Sequence, residues 1–480
     1  MTNSSSPLPG ISRRALVIAG LQAALAGLAL SACGGSLPTA STSGSASVVV
    51  SASAAVTTSS AAAAAATTTA QASTSAVAAA AAGSAAATTL QYIGWDAMTT
   101  LGLVQKFYQD EFTPTHPGIA VNVISTSGAN FNDKITTLMA GGTPPDIMYV
   151  QDYMASSWVT KNVLTDLSPF ASADKSGIVQ QNWPTAIGFF QIGGKLYGLP
   201  KDFSSMVIYY NKDLFAAAGV NAPGAAGWTW DEFLAASHKL TKQSTNQPQW
   251  GFMLRTGSDS GFGPWMWQNG GDFYSDPHNP TAATFTLDQA PAVDAIQWYA
   301  DLMFKEHVAP TADELKNQGD LFAKGQIAMQ QNWTSAIVSM RPAIKSFTFD
   351  AVPMPKQKSA AVPLTVVALG VPTGSKHVDD AWQAIAFYNG PNGSQFTLRN
   401  GWGVPPNQAI AKSPAFLKDV PPANKQVFLD QVQYARLWPQ SAAWPDQRAV
   451  ILKAVSGVQA GTQKAAEAIA AIKQQVLATQ

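Results

Sequence analysis

Leu90-Gln91-Tyr92-Ile93-Gly94-Trp95, Ile119-Ala120-Val121-Asn122-Val123-Ile124 and Pro145-Asp146-Ile147-Met148-Tyr149-Val150 are short apolar runs separated by two stretches of helical period. The first stretch, Leu101–Phe112, puts Leu101, Val104, Phe107 and Tyr108 on one face. The second, Phe131–Ala140, runs into Gly141-Gly142. Strands that alternate with helices predict a mostly parallel sheet with helices on both faces. In such sheets ligands sit beyond the carboxyl ends of the strands. Trp95-Asp96 and Gln151-Asp152-Tyr153 fall at those ends.

Toward the C-terminus helices mix with short strands. Asp231–Leu240 is predicted helical with Thr229 as its cap, and Pro291–Lys305 is a second helix. Gln326–Gln331 and Thr348–Val352 read as strands. Ala449–Leu477 is helical with a break near Gly457–Gly461. No repeat of fixed period occurs.

Toward the N-terminus the chain changes character. Arg13 and Arg14 precede a charge-free apolar run, Ala15 to Leu30, closed by Leu30-Ser31-Ala32-Cys33. A positive start, an apolar run and small closing residues read as an export signal. From Ser36 to Thr89 the chain is almost wholly Ala, Ser, Thr, Gly and Val, with no charge between Arg14 and Asp96 and no aromatic residue before Tyr92. Such a segment buries too little apolar surface to offset its ordering entropy. Residues 34–89 are therefore expected to form a disordered linker, and folding is expected from residue 90 onward.

Composition narrows the function. The 480 residues carry formal net charge zero and only 12% are charged. A nucleic-acid binder shows a basic stripe and a membrane-surface binder shows Lys/Arg clusters; this chain has neither. One cysteine, Cys33, permits no internal disulfide and no cysteine zinc site.

Several segments resemble a known family. Leu30-Ser31-Ala32-Cys33 resembles the bacterial lipoprotein box, which implies cleavage before Cys33 and a lipid thioether on its sulfur. Thr137-Leu138-Met139-Ala140-Gly141-Gly142-Thr143-Pro144-Pro145-Asp146-Ile147-Met148 is similar to the approach to the third strand in family 1 extracellular solute-binding proteins of ABC importers. Tyr197-Gly198-Leu199-Pro200 with Met206 through Phe215 resembles the family's first crossover between domains. Trp228-Thr229-Trp230-Asp231-Glu232-Phe233, Phe322-Ala323-Lys324-Gly325-Gln326-Ile327-Ala328-Met329 with Trp333, and Asn400-Gly401-Trp402-Gly403-Val404-Pro405 follow in family order.

The resemblance implies an α/β, two-lobe periplasmic-binding-protein (Venus-flytrap) fold with hinge strands. Lobe one would hold 90–200 and 368–425, and lobe two 205–365 and 430–480, after a signal over 1–33. It implies a substrate-binding lipoprotein, not an enzyme. This monomer would be anchored outside the cell by Cys33. It would capture a sugar in the interlobe cleft without a cofactor and deliver it to ABC permease subunits in the membrane.

Sugar binding needs flat apolar faces for C–H surfaces and a few fixed polar groups for hydroxyls. The chain has 14 Trp, a side chain with a large face and low entropic cost. Trp333 and Trp444 match stacking positions of maltose-binding-like relatives. Trp402 is presented by flanking glycines, Trp95 by a strand's end, and Trp267 by a helix start it shares with Trp265. Among polar groups Asp152 and Asp96 follow strands, Asp202 lies in the crossover, and Asn130 precedes a helix. Asp152, Asp96 and Asn130 read equally as helix caps.

The rival class is an extracellular glycosidase or lyase, which needs a matched carboxyl pair; Asp152 and Asp202 could meet across a cleft, so counting acids does not exclude it. No motif fixes an acid–base pair. The five His residues show no metal-ligand spacing, and no nucleophile elbow or phosphate-cradling loop occurs.

Overall fold

The computed structural model describes residues 88–479 apart from 127–129, 225, 244–246 and 278–282. The expected signal, Cys33 and nearly all of the expected linker lie outside the described residues.

The opening follows the predicted pattern. β1 (Thr88–Gly94) pairs in parallel with β2 (Ile119–Ser125) and with β3 (Ile147–Gln151). Between them lie α1 (Met98–Phe107), continued by a wider turn over Tyr108–Phe112, and α2 (Phe131–Ala140). Leu101, Val104 and Phe107 are the buried face of α1, as their spacing of three requires. α3 (Asp152–Thr160) then leads away from β3.

Two long strands extend this sheet. β4 (Leu199–Asn211) runs for 13 residues, nearly all buried. After it come α4 (Trp230–Leu240), β5 (Trp250–Met253), α5 (Asp259–Gln268), β6 (Ile327–Trp333), α6 (Ile337–Ala343) and β7 (Phe349–Val352). Thr229 caps α4 in a reciprocal box with Glu232, which satisfies two of the N–H groups a helix start leaves open. β8 (Val362–Gly370) closes the sheet. Among the described residues nine strands join, in the order β2-β1-β3-β8-β4-β6-β5, with β7 beside β4 and a two-residue strand, Ala435–Arg436, beside β8.

β4 and β8 are antiparallel neighbours from Leu199–Leu369 to Ser205–Leu364. β8 pairs onward with β3, and the far half of β4, Met206 to Tyr210, pairs with β6. These strands therefore belong to both wings of the sheet, which is the two-lobe periplasmic-binding-protein fold. Both hinge prolines sit where a missing N–H does least harm. Pro200 lies beside a register shift, and Pro363 lies at the start of β8.

The cores divide by sheet face as well as by wing. Val207 and Tyr209 of β4 belong to the cluster that fills the first wing. Met206, Ile208 and Tyr210 belong to a second cluster with α5 and the C-terminal helices Trp444–Gln459 and Ala465–Leu477. This is the two-residue alternation of a strand covered on both sides. All ten residues of α5 are buried. Trp265 stands against Trp230, Trp298 and Phe233 at ring distances of 5.6, 5.2 and 5.2 Å, and its indole N–H donates to Gln331 Oε1 at 2.8 Å. Trp265→Ala removes a fully buried indole and one of the two donors to Gln331 Oε1. Thermal or denaturant unfolding should show a loss of about 3–5 kcal/mol.

Candidate functional site

The site is built on strand ends. Trp95 and Asp96 leave β1 just past its carboxyl end. Gly94 is needed there, because a Cβ would lie 2.8 Å from the Tyr149 ring. Tyr149, on β3, packs edge-on against Trp95 at 4.8 Å, and its hydroxyl donates to Asp96 Oδ2 at 3.0 Å. Phe131 holds Trp95 from the other side at 5.0 Å. A side-chain hydroxyl also steadies the turn, with Ser125 Oγ donating to the Asp96 carbonyl at 2.7 Å.

The hinge strand supplies the next pair. Lys201 is buried and its ammonium is bonded to the Asp202 carboxylate. The ammonium also lies 5.1 Å from the Tyr149 ring centre and 5.8 Å from that of Trp402, within reach of their π faces. Burial alone pulls Lys201 toward neutrality. Asp202, with Tyr388 and Asp96 behind it, outweighs the burial and holds its pKa above the usual lysine value.

Trp402 reaches this cluster through its glycines. Gly401 and Gly403 both have positive φ, and a Cβ on Gly403 would lie 2.9 Å from the Phe203 carbonyl oxygen. The loop is thereby clamped to β4, with Val404 N donating to Phe203 O at 2.9 Å. Only glycine fits so close an approach.

Together these groups wall a cavity of about 260 Å³. Trp95, Asp96, Tyr149, Lys201, Asp202 and Trp402 line it from one wing, while Ser335 and Val338, just past the carboxyl end of β6, line it from the other. Four sequence candidates, Trp95, Asp96, Asp202 and Trp402, thus share one cavity. Larger hollows open around Trp228 and Tyr434, and around His238 and Glu314, but no sequence candidate lines either.

Trp333 ends β6 two residues before Ser335 and is half-buried, with the Arg255 guanidinium 5.9 Å from its ring. Arg255 follows β5, donates to Ser260 Oγ at 3.0 Å and lies 3.5 Å from Asn332 Oδ1.

Three expectations need correction and one finds no support. Trp267 is a core residue whose N–H donates to Asp272 Oδ1 at 3.0 Å and whose ring packs on Trp438 at 4.9 Å. Trp444 is fully buried against Phe273 at 5.0 Å. Neither has a face free for a ligand, because both rings are buried in the second core. Asp152 is 2% exposed; Oδ2 accepts from Val366 N at 2.9 Å and Oδ1 from Tyr153 N at 2.7 Å. It ties α3 to hinge strand β8 and does not line the cavity, so the Asp152–Asp202 pair is not assembled there. Asn130 is exposed at the start of α2, its side chain makes no capping bond, and it does not line the cavity.

Lys201 and Tyr149 are cavity residues that sequence reasoning missed. A Lys-Asp pair, the only charged residues of a nearly all-buried 13-residue strand, was the available signal for Lys201.

Comparison with known proteins fixes the family. The family model described as bacterial extracellular solute-binding protein matches residues 98–395, more than half of the chain. The chain belongs to the bacterial extracellular solute-binding protein family. An ABC substrate-binding protein from Listeria monocytogenes, solved with cycloalternan, is similar at TM-score 0.73 and 25% identity over 82% of this chain and 98% of that one. The lactose-binding protein of Rhizobium radiobacter is 23% identical over 52% of this chain, which spans 57% of that relative's length. The arabinooligosaccharide-binding protein of Bacillus subtilis is 25% identical over 60% of this chain and 67% of its own. Among the described residues of this solute-binding protein, no helix is long and apolar enough to cross a membrane.

Burial raises the pKa of Asp152 to about 7, against the opposing bonds from Val366, Tyr153 and Thr365. Its folded pKa thus exceeds its unfolded one, and the folded state holds the extra proton between about pH 4 and 7. This group's contribution to stability is present at low pH and is lost as pH rises through that window. Unfolding midpoints of Asp152→Asn and wild type, measured from pH 4 to 8, should shift progressively in the variant's favour up to about pH 7 and then run parallel.

Proposed function

We propose that this protein is the sugar-capturing receptor of an ABC importer. It binds a sugar or oligosaccharide in the cleft between its lobes and presents it to a membrane permease. The observation that carries this reading is the cavity at the strand ends. Two indoles, Trp95 and Trp402, supply flat apolar faces, and two carboxylates, Asp96 and Asp202, supply acceptors for hydroxyls. Trp333, at the end of β6, extends the surface on the other wing. The relatives named for lactose and arabinooligosaccharide, and the neighbour solved with cycloalternan, support the same ligand class.

The lobes are read as 90–200 with 368–425 and 205–365 with 430–480, joined by β4, β8 and the segment near 425–432. Ligand that touches both lobes favours the closed form by its differential affinity for that form. The protein acts as a monomeric binder and not as an enzyme. That reading rests on the family and on the position of Asp152, whose carboxylate bonds to main chain outside the cavity.

Two measurements test this. Mixed with neutral oligosaccharides, the chain should bind at least one, followed by Trp fluorescence, with no product formed on repurified protein. Trp402→Ala should weaken that binding by roughly 2–4 kcal/mol, as for a buried aromatic anchor. Unchanged affinity would remove Trp402 from the site.

The export reading predicts that Cys33 carries the anchor, since two acyl chains give stable attachment. Cys33→Ala should leave sugar affinity intact and release the protein from membranes, as fractionation would show. A variant retained on membranes would contradict the lipid anchor.

A further inference from the structure

The charged groups of the cavity carry information about its ligand that the family does not. Three of its lining residues are charged: Asp96, Lys201 and Asp202. Their formal charges leave one negative charge unbalanced. Lys201 is not free to offset an incoming acid. Its ammonium is buried, bonded to Asp202, and boxed by the rings of Tyr149 and Trp402 at 5.1 and 5.8 Å. Reaching a ligand carboxylate would mean breaking that pair inside a site of low dielectric, where an unpaired charge is costly.

The carboxylates are placed differently. Asp96 Oδ2 takes the Tyr149 hydroxyl at 3.0 Å and Asp202 Oδ2 takes Lys201. The second oxygen of each takes no hydrogen bond from the described residues. Two acceptor oxygens thus remain on the cavity wall for donors on a ligand. Hydroxyl and ammonium groups are donors; a carboxylate or phosphate is an acceptor only and meets like charge. Across the cleft the lining residues Ser335 and Val338 are uncharged. Arg255, beside Trp333, is outside this lining and is held by neutral partners.

We infer that the cleft selects neutral or amino sugars and rejects sugar acids, with Lys201 acting as a built-in counterion that fixes Asp202 rather than as a ligand contact. This rests on the sugar-receptor reading above and names the substrate class for that same site. Without Lys201 the wall would carry both carboxylates unrelieved. Without the Asp202 charge, Lys201 and Asp96 would balance.

The test uses the full chain and titration calorimetry. The probes are lactose, maltotriose and arabinotriose, together with their amino-sugar and C6-oxidised uronic-acid counterparts where these exist. For any neutral sugar that binds, its uronic acid should bind weaker by roughly a hundredfold, and its amino counterpart no weaker than the neutral form. Asp202→Asn should raise the acid-to-neutral affinity ratio roughly tenfold or more, while Lys201→Met should lower it further. Opposite shifts of a ratio are not produced by partial unfolding. Because Asp202 is the more exposed of the pair, its variant decides the matter if Lys201→Met does not fold. Equal or tighter binding of the uronic acid overturns this inference alone, as does a ratio that stays fixed in Asp202→Asn. Failure of every sugar to bind overturns the receptor reading and this inference with it.

Discussion

The structure depends on the antiparallel pairing of β4 with β8. Six pairs, Leu199–Leu369 through Ser205–Leu364, hold the two strands together across one register shift. Each strand continues into a different wing, so the same backbone bonds that build the sheet also join the lobes. A third connection braces them: Ser205 Oγ donates to the Phe428 carbonyl oxygen at 3.1 Å. The cavity sits against this pairing, and its charged pair, Lys201–Asp202, belongs to the strand itself. Asp152 adds a further tie by accepting the Val366 N–H of β8. The cavity therefore lies next to the strands that both wings share.

Much of the fold was legible in the sequence because its signals are local. The alternation of β1, α1, β2, α2 and β3 followed from apolar periodicity. The helix starting after Thr229 followed from that residue's capping hydroxyl. The cavity was half legible. Trp95-Asp96 lay beyond a strand end, and Gly401-Trp402-Gly403 advertised a loop that presents its indole. What remained hidden was set by tertiary packing. Trp402 and Trp444 were both read as stacking faces, yet one lines the cavity and the other is buried against Phe273. The count of 14 Trp suggested stacking surfaces, but Trp228, Trp230, Trp265, Trp267, Trp438 and Trp444 fill the second core.

Asp152 shows the same limit for polar groups. A carboxylate after a parallel strand suits a ligand or a backbone N–H equally well, and sequence does not say which reaches it first. Here β8 does, because it runs antiparallel beside β3 and brings the Val366 N–H to Oδ2. Lys201 was overlooked for the opposite reason. A lysine in a buried strand looks like an exception to be explained by exposure, whereas this one is kept charged against its burial by Asp202, with Tyr388 and Asp96 behind it.

The central claim is that ligand binding closes two lobes about β4 and β8. Small-angle X-ray scattering of the chain, with and without a saturating sugar that binds, tests it most directly. A fall in the radius of gyration on saturation is the predicted result. Full occupancy with an unchanged scattering curve would contradict the account.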